Sequence, residues 1–221
     1  QPSNTLVGYT SGGGAGGIFY TTAFEVGPGT HPVTVGAQGT TPDSAMIQPG
    51  ADTTFVHGST TLTAKGGGVG GYYGNTYTPG PTQPGPGNEW KRGGAGGSGG
   101  GNCYGSNPFP PTVGPGIQPA QNPGVANLTN YGNDGGDHYT PQNGSNRFSG
   151  GGGGGAGAAG SQGGPNNAGD GGSGQPFPQF AAPLIAPDIP SPVRPSWTPE
   201  VGPTGLYGGG GGGSGSTNPS Y

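Results

Sequence analysis

The chain has 221 residues, of which 59 are glycine and 27 are proline, while only 26% are hydrophobic and 6% are charged. Those shares lie well below the usual globular values, so an ordinary side-chain core is excluded. Disordered chains usually combine low hydrophobicity with high net charge, whereas this chain carries only −4, so we expect a packed and nearly neutral structure. Lys and Arg together number 5, too few for a phosphate-binding surface, and nucleic acid is not an expected partner.

Two further classes are excluded by single features of the sequence. Cys103 is the only cysteine, so neither an intramolecular disulfide nor a multi-cysteine metal site is expected. No apolar run approaches the roughly 18 residues that span a bilayer, so membrane insertion is not expected.

The start at Gln1 without Met is expected to reflect either a trimmed chain or proteolytic maturation.

Residues 1–65 carry most of the strand signal and are predicted to form a short-stranded β region. Residues 18–26 are rich in aromatic and β-branched side chains, and a Gly-Pro-Gly turn separates them from residues 31–35, which predicts a first hairpin. Residues 53–57 and 60–64 flank a Gly-Ser turn and predict a second hairpin. Together the two hairpins would make a small antiparallel sheet.

Residues 66–221 are predicted to form a glycine-rich region that is continuous with the β region. The period of an amphipathic helix is absent there, and no convincing strand is found. The longest glycine run spans residues 150–160, and shorter runs lie at 12–17, 66–71, 93–101, 171–174 and 208–215. The glycines expected to carry the structure are Gly12, Gly66, Gly96, Gly150, Gly153 and Gly208.

Such runs have no side chains to bury, so they must order through backbone hydrogen bonds or not at all. A bundle of polyglycine-II helices, each with three residues per turn, is the preferred interpretation. A collagen triple helix is not expected, because glycine does not recur at every third position of this sequence. The alternative is that the runs are flexible linkers. The predicted fold is therefore mainly β and irregular, with a polyglycine-II helix bundle and long Pro-, Tyr- and Asn-rich loops.

The loops between the runs hold most of the aromatic residues, which we expect to cover the edges of the glycine lattice. Residues 180–187 form an apolar island whose prolines are expected to forbid a helix. This island is interpreted either as a docking strip for another subunit or as local packing under a loop.

No motif of catalysis or cofactor binding is convincing, and no cofactor, metal or enzyme activity is expected. His31, His57 and His138 are scattered and are interpreted as packing or surface residues rather than ligands. The segment from Asn133 to Asp137 has two carboxylates in a glycine-rich stretch that calcium could use, but a plain Asx-turn loop is the favoured interpretation.

A family resemblance enters at residues 24–39, FEVGPGTHPVTVGAQG. They resemble a segment reading roughly pGtytVTVGaGG in the glycine-rich domain common in tailed-phage virion proteins. Residues 52–55, DTTF, resemble the family's G-x-S-x-F, and residues 62–68, LTAKGGG, resemble its tAxGGGGG. The resemblance covers about residues 6–71. The family often opens with a longer strand, which is expected to be missing here or supplied by a neighbouring subunit.

The several glycine runs are also similar to the adhesins at the tips of some phage long tail fibres. In those adhesins, glycine runs pack as a polyglycine-II sandwich, and the loops between them contact the bacterial receptor. Both resemblances imply a non-enzymatic structural protein on the virion surface, as a fibre, decoration or adhesin component. They also imply contacts with other virion subunits and with copies of itself.

Tyrosine- and asparagine-rich loops suit contact with a host surface glycan or an outer-membrane protein, because aromatic rings stack and amides form hydrogen bonds. The candidate contact residues are Tyr72, Tyr73, Trp90 and Tyr139. The alternative function is a secreted glycine-rich protein that polymerises into an extracellular filament or matrix through non-closing contacts.

Overall fold

A buried run of seven residues without a bulky side chain, residues 150–156, lies at the centre of the computed structural model. The structure describes residues 9–39, 48–73, 92–103, 112–122, 124–139, 147–192 and 194–217. The described backbone is mainly short strands and irregular segments with few helices, as the composition predicts. The longest described strands have 5 residues. The strands alone therefore do not hold the chain together.

The described strands form five small antiparallel sheets. One sheet has three strands, and the other four are strand pairs. The three-stranded sheet consists of β3 (Val33–Thr34), β4 (Thr53–His57) and β5 (Thr60–Ala64). The pairs are β1 (Tyr9–Thr10) with β6 (Tyr72–Tyr73), β2 (Ile18–Thr21) with β7 (Leu128–Tyr131), β8 (Arg147–Ser149) with β11 (Gly215–Thr217), and β9 (Gln175–Pro176) with β10 (Leu206–Tyr207).

The second predicted hairpin is confirmed and the first is wrong. Strands β4 and β5 pair around Gly58, whose φ of +57° suits glycine at the turn. Strand β2 pairs with β7, and not with β3. It continues the 11–17 run, whereas β7 leads into the 132–137 run. Both runs bond to residues 98–99, so neighbouring runs bring these two distant strands together.

Two further expectations about residues 66–221 are wrong. Six of the described strands, β6 to β11, lie there. The apolar island contains α1 (Ala182–Ile185), and α2 (Arg194–Val201) follows it. Pro183 lies in the first turn of α1, where a backbone N–H group would have no acceptor within the helix. The N–H group that proline lacks is therefore not needed there. A proline at that position permits a helix.

Every N–H group of the central run, residues 150–156, donates to a carbonyl oxygen outside these seven residues. Every third N–H goes to the same partner. Gly150, Gly153 and Ala156 donate to the 208–214 run, while the N–H groups between them donate to the 98–102 run and to residues 158–161, where the chain turns back after a bend at 156–158. The donor–acceptor distances are 2.7–3.0 Å for all seven of these bonds. Three neighbours therefore surround the donor side of the run.

The carbonyl groups of the central run are bonded with the same period of three. Gly150 and Gly153 accept from the 169–172 run, and Gly151 and Gly154 accept from the 12–15 run. The oxygen of Gly152 accepts from the N–H of Gly136, and the side-chain amide of Asn133 donates to Gly155 and Ala156. No peptide group of the central run is left without a partner, as burial requires.

Packing around the central run leaves no room for side chains. Residues 150–156 are all buried. A Cβ added at Gly153 would overlap the carbonyl oxygen of Gly13, and one at Gly152 would overlap the oxygen of Asp170. The close approach of these backbones therefore requires glycine, which takes the place that large apolar residues hold in an ordinary core.

The same period of three recurs away from the centre. The N–H groups of Ser11, Gly14 and Gly17 donate to the oxygens of Gly71, Gly68 and Lys65, so the 11–17 and 65–71 runs lie antiparallel. The next N–H groups along, at Gly12 and Ala15, donate to the central run. Several hydrogen bonds thus join residues before position 65 to residues after it. The β region and the glycine-rich region therefore share one backbone hydrogen-bond network.

The glycines singled out in the sequence lie at close approaches in this network. A Cβ at Gly12 would overlap the oxygen of Gly211, one at Gly66 would overlap the oxygen of Gly50, and one at Gly96 would overlap the nitrogen of Gly68. At Gly150 it would lie 2.6 Å from the oxygen of Thr10. Gly208 has a φ of +74°, a conformation that other residues rarely adopt.

Two adjacent glycines provide a matched test of this packing. A methyl group at Gly12 would meet the Gly211 carbonyl, whereas one at Gly13 would meet only the oxygen of Gly68, at 3.6 Å. We therefore expect Gly12→Ala to reduce the free energy of unfolding by about 1–3 kcal/mol through overpacking. Gly13→Ala should change it little. Thermal unfolding followed by circular dichroism measures both, and equal effects would contradict this packing.

Candidate functional site

A groove of about 530 Å³ lies along the paired 11–17 and 65–71 runs, and Gly39 and residues 48–50 also line it. Its walls are mostly backbone, with Val69, Tyr72, Gln48 and Pro49 supplying the larger side chains. Tyr72, a predicted contact residue, lies at its edge and is half-buried. One of the predicted contact residues therefore lines this groove.

Unused N–H groups line the groove along both runs. In the described part of the chain, the N–H groups of Gly13, Gly16, Gly67, Val69 and Gly70 donate no hydrogen bond. Gly13 and Gly16 are exposed, while the residues between them, Gly14 and Ala15, donate to other runs. The groove thus presents backbone donors that no other described residue uses.

An ion pair fixes the start of the 65–71 run beside the groove. The Lys65 Nζ atom lies 2.7 Å from Oδ2 of Asp52, and the Gly66 N–H donates to Oδ1 of the same carboxylate at 3.0 Å. Burial raises the pKa of Asp52, but the Lys65 ammonium and the Gly66 N–H outweigh burial and hold this pKa below its ordinary value. The carboxylate accepts from a backbone donor that no other backbone group uses.

Side-chain amides join the sheet to the runs on the other side of Lys65. Gln118 is fully buried; its Oε1 accepts from the Lys65 N–H, and its Nε2 donates to the Thr63 oxygen and to Oδ1 of Asn130. Asn122, with φ of +54°, bonds to both backbone groups of Thr63. These amides complete the hydrogen bonding where β5 passes into the glycine run.

An aromatic cluster closes a different part of the surface. Phe177 is buried, and its ring lies 5.3 Å from Tyr20, 5.6 Å from Tyr131 and 6.1 Å from Tyr207, measured between centroids. Phe180 lies 6.4 Å from Tyr20 and stays 45% exposed. A cavity of about 280 Å³ adjoins this cluster. Its lining is almost entirely apolar, so it offers few groups that would orient a polar ligand.

The structure does not bring the three described contact residues together in one site. Tyr72 lines the groove, and Tyr73 pairs through its backbone with Tyr9. Tyr139 is half-buried and donates its N–H to the Ser149 oxygen, away from the residues that line the groove. Trp90 lies outside the described residues.

The segment from Asn133 to Asp137 is a run of the network, and the Asx-turn interpretation is wrong. No turn or bend occurs there. Its backbone accepts from Gly99 and Gly160 and donates to Gly114 and Gly152. Oδ1 of Asp137 accepts from Nδ2 of Asn102 and from the ring of His138. Burial raises the pKa of Asp137, but His138 and Asn102 outweigh it and lower that pKa overall.

Histidines 31 and 57, which are distant in sequence, meet in the structure. The two Nδ1 atoms lie 3.2 Å apart. Sequence reasoning missed this pair because the contact depends on how β3 pairs with β4, and the predicted first hairpin placed His31 on a different partner. Within the described residues, no group of three or more His, Cys, Asp and Glu side chains could hold a metal ion.

No family model, curated protein or solved structure matches this chain. Among the described helices, none has both the length and the apolar character needed to cross a membrane.

Acid should weaken the structure beside the groove. Because the pKa of folded Asp52 is lowered, its contribution to stability is present above about pH 4, the unfolded-state value, and is lost as the pH falls through the folded-state pKa. Asp52→Asn should therefore show a smaller loss of melting temperature between pH 5 and pH 2, with an effect of a few tenths to about 1 kcal/mol for this half-exposed pair.

The control for this measurement is Glu25→Gln. Glu25 is exposed and forms no ion pair in the described ranges, so its replacement should leave the acid dependence unchanged. An acid dependence that is identical in Asp52→Asn and in the unsubstituted protein would show that this carboxylate does not stabilise the fold.

Proposed function

We propose that the glycine runs form a polyglycine-II lattice and that this lattice makes the protein a stiff, non-enzymatic scaffold. The observation that carries the proposal is the central run, whose peptide groups bond outward in a repeat of three. Three residues per turn without internal hydrogen bonds is the geometry of the polyproline-II class of helix, to which polyglycine II belongs. Partners in several directions are what a packed lattice of such helices requires.

We propose further that the protein is a surface component of a tailed-phage particle, as a fibre, decoration or adhesin subunit. The support is the sequence resemblance over about residues 6–71 together with the glycine runs. A lattice of backbone hydrogen bonds suits such a role, because it resists deformation without needing a large hydrophobic core. The loops between runs are then free to vary at little cost to the scaffold.

The partners we propose are other virion subunits, copies of the same chain and, at the loops, a host surface glycan or outer-membrane protein. The groove beside Tyr72 suits contact with a neighbouring subunit. Its free N–H groups at Gly13, Gly16, Gly67 and Gly70 would bond the carbonyl groups of an extended segment with the same repeat. Tyr72 and Tyr139 would contribute ring stacking, as tyrosines often do at interfaces.

The proposal is tested on the native assembly. Cryo-electron microscopy of purified particles should place this chain on the surface of a tailed phage. An open helical filament free of any virion would overturn the phage role and support the extracellular filament.

Substitution of the contact tyrosines tests the attachment role separately. In particles, Tyr72→Ala combined with Tyr139→Ala should slow adsorption to host cells about tenfold, since interface tyrosines often contribute 1–2 kcal/mol or more. Adding changes at Tyr73 and Trp90 should strengthen the effect. Val35→Ala is the control, because it removes an exposed apolar side chain that lies outside the groove lining and outside the apolar island. Unchanged adsorption in the quadruple variant would remove these residues from the attachment role.

A further inference from the structure

We propose that His31 and His57 form a binding site for a divalent transition-metal ion of the zinc and copper class, with the two Nδ1 atoms as protein ligands. The site is independent of the role proposed above. The pairing of β3 with β4 sets Val33 opposite Phe55, and the Val56 N–H donates to the Pro32 oxygen. Continued by two residues, this register sets His31 opposite His57. The backbone thus brings both rings to one place.

A hydrogen bond fixes which nitrogen of His31 is free to bind a metal. Its Nε2 lies 2.8 Å from the carbonyl oxygen of Gly27. A carbonyl oxygen only accepts, so Nε2 carries the proton, and Nδ1 of the neutral ring keeps its lone pair. Metal-binding histidines are commonly held in this way, with the second ring nitrogen donating to a backbone carbonyl. His31 is therefore oriented as a ligand through Nδ1.

Without a metal, the two Nδ1 atoms share one proton in a hydrogen bond of 3.2 Å. Because Nε2 of His31 donates to Gly27, Nδ1 of His31 accepts and Nδ1 of His57 donates. A bound metal ion would take the place of that proton, and the His57 ring would carry its proton on Nε2 instead.

The distance between the nitrogens fits two ligands of one ion. Zinc binds imidazole nitrogen at about 2.0–2.1 Å, which puts two tetrahedral ligands about 3.3 Å apart. The observed separation is 3.2 Å.

Aromatic rings support both histidines. The Phe55 centroid lies 6.0 Å from that of His31, and the Phe24 centroid lies 5.5 Å from that of His57. Phe24 and Phe55 also pack edge to face on each other. These contacts fix the ring planes and exclude water from one side, while both histidines remain partly exposed on the other. An ion can enter there, and water can complete its coordination.

The donor set decides the class of metal. Neutral imidazole suits zinc, copper and nickel, whereas calcium and magnesium require oxygen ligands. With two protein ligands, the site leaves coordination positions for water or for a ligand from outside the chain. A bound ion would also tie the backbone around Gly27 and His31 to strand β4, and so stabilise the sheet by mass action.

The test uses the full chain, freed of metal with a chelator and then titrated with zinc chloride. Calorimetry should show saturable binding of one ion per chain. Long-range nitrogen–proton NMR spectra should show that zinc shifts Nδ1 of His31 and of His57, while Nε2 of His31 keeps its proton. His31→Ala and His57→Ala should each weaken binding about tenfold or more. His138→Ala, which removes the third histidine, should leave the affinity unchanged.

Three results would overturn the proposal. They are the absence of saturable zinc binding, binding that persists unchanged in the double variant His31→Ala/His57→Ala, and zinc-dependent shifts confined to His138 or to the Nε2 atoms. The NMR measurement is made on the unsubstituted protein, so it decides the matter even if a variant fails to fold.

Discussion

The requirement that every buried peptide group find a hydrogen-bond partner governs this structure. A glycine run offers only N–H and C=O groups, and an unpaired buried group costs about as much as a lost hydrogen bond. The central run meets the requirement by bonding outward in successive directions, with each third group meeting the same neighbour. Distant parts of the chain must therefore lie side by side, and glycine is required wherever they approach most closely.

At the ends of the runs, where the backbone hydrogen-bond network stops, side chains supply the remaining partners. Asp52 accepts from Gly66, Gln118 accepts from Lys65, and Asn133 donates to the last carbonyls of the central run. Polar side chains thus take the bonding positions that a neighbouring run would otherwise occupy. The apolar residues are few, and they collect in the aromatic cluster around Phe177. At the groove beside Tyr72, no run or side chain among the described residues occupies this position.

What the sequence predicts correctly is local. The hairpin around Gly58 has its two strands and its turn within one short segment, and the low hydrophobic content indicates a fold without an ordinary core. The partner of β2, the role of the 132–137 run and the meeting of His31 with His57 depend on which runs become neighbours. Glycine carries no side-chain pattern to specify that choice. Tyr72 was predicted as a contact residue, but its groove depends on two runs that are far apart in sequence.

Hydrogen exchange across residues 150–156 measures whether the backbone hydrogen bonds of the central run form in solution. Because these amides are buried and bonded to several neighbouring runs, we predict exchange orders of magnitude slower than in an unstructured peptide, and slower than in the exposed segment at residues 27–30. Mass spectrometry of peptides that cover both segments supplies the comparison within one sample. Exchange of residues 150–156 at the rate of an unstructured chain would show that the run is not held by these bonds.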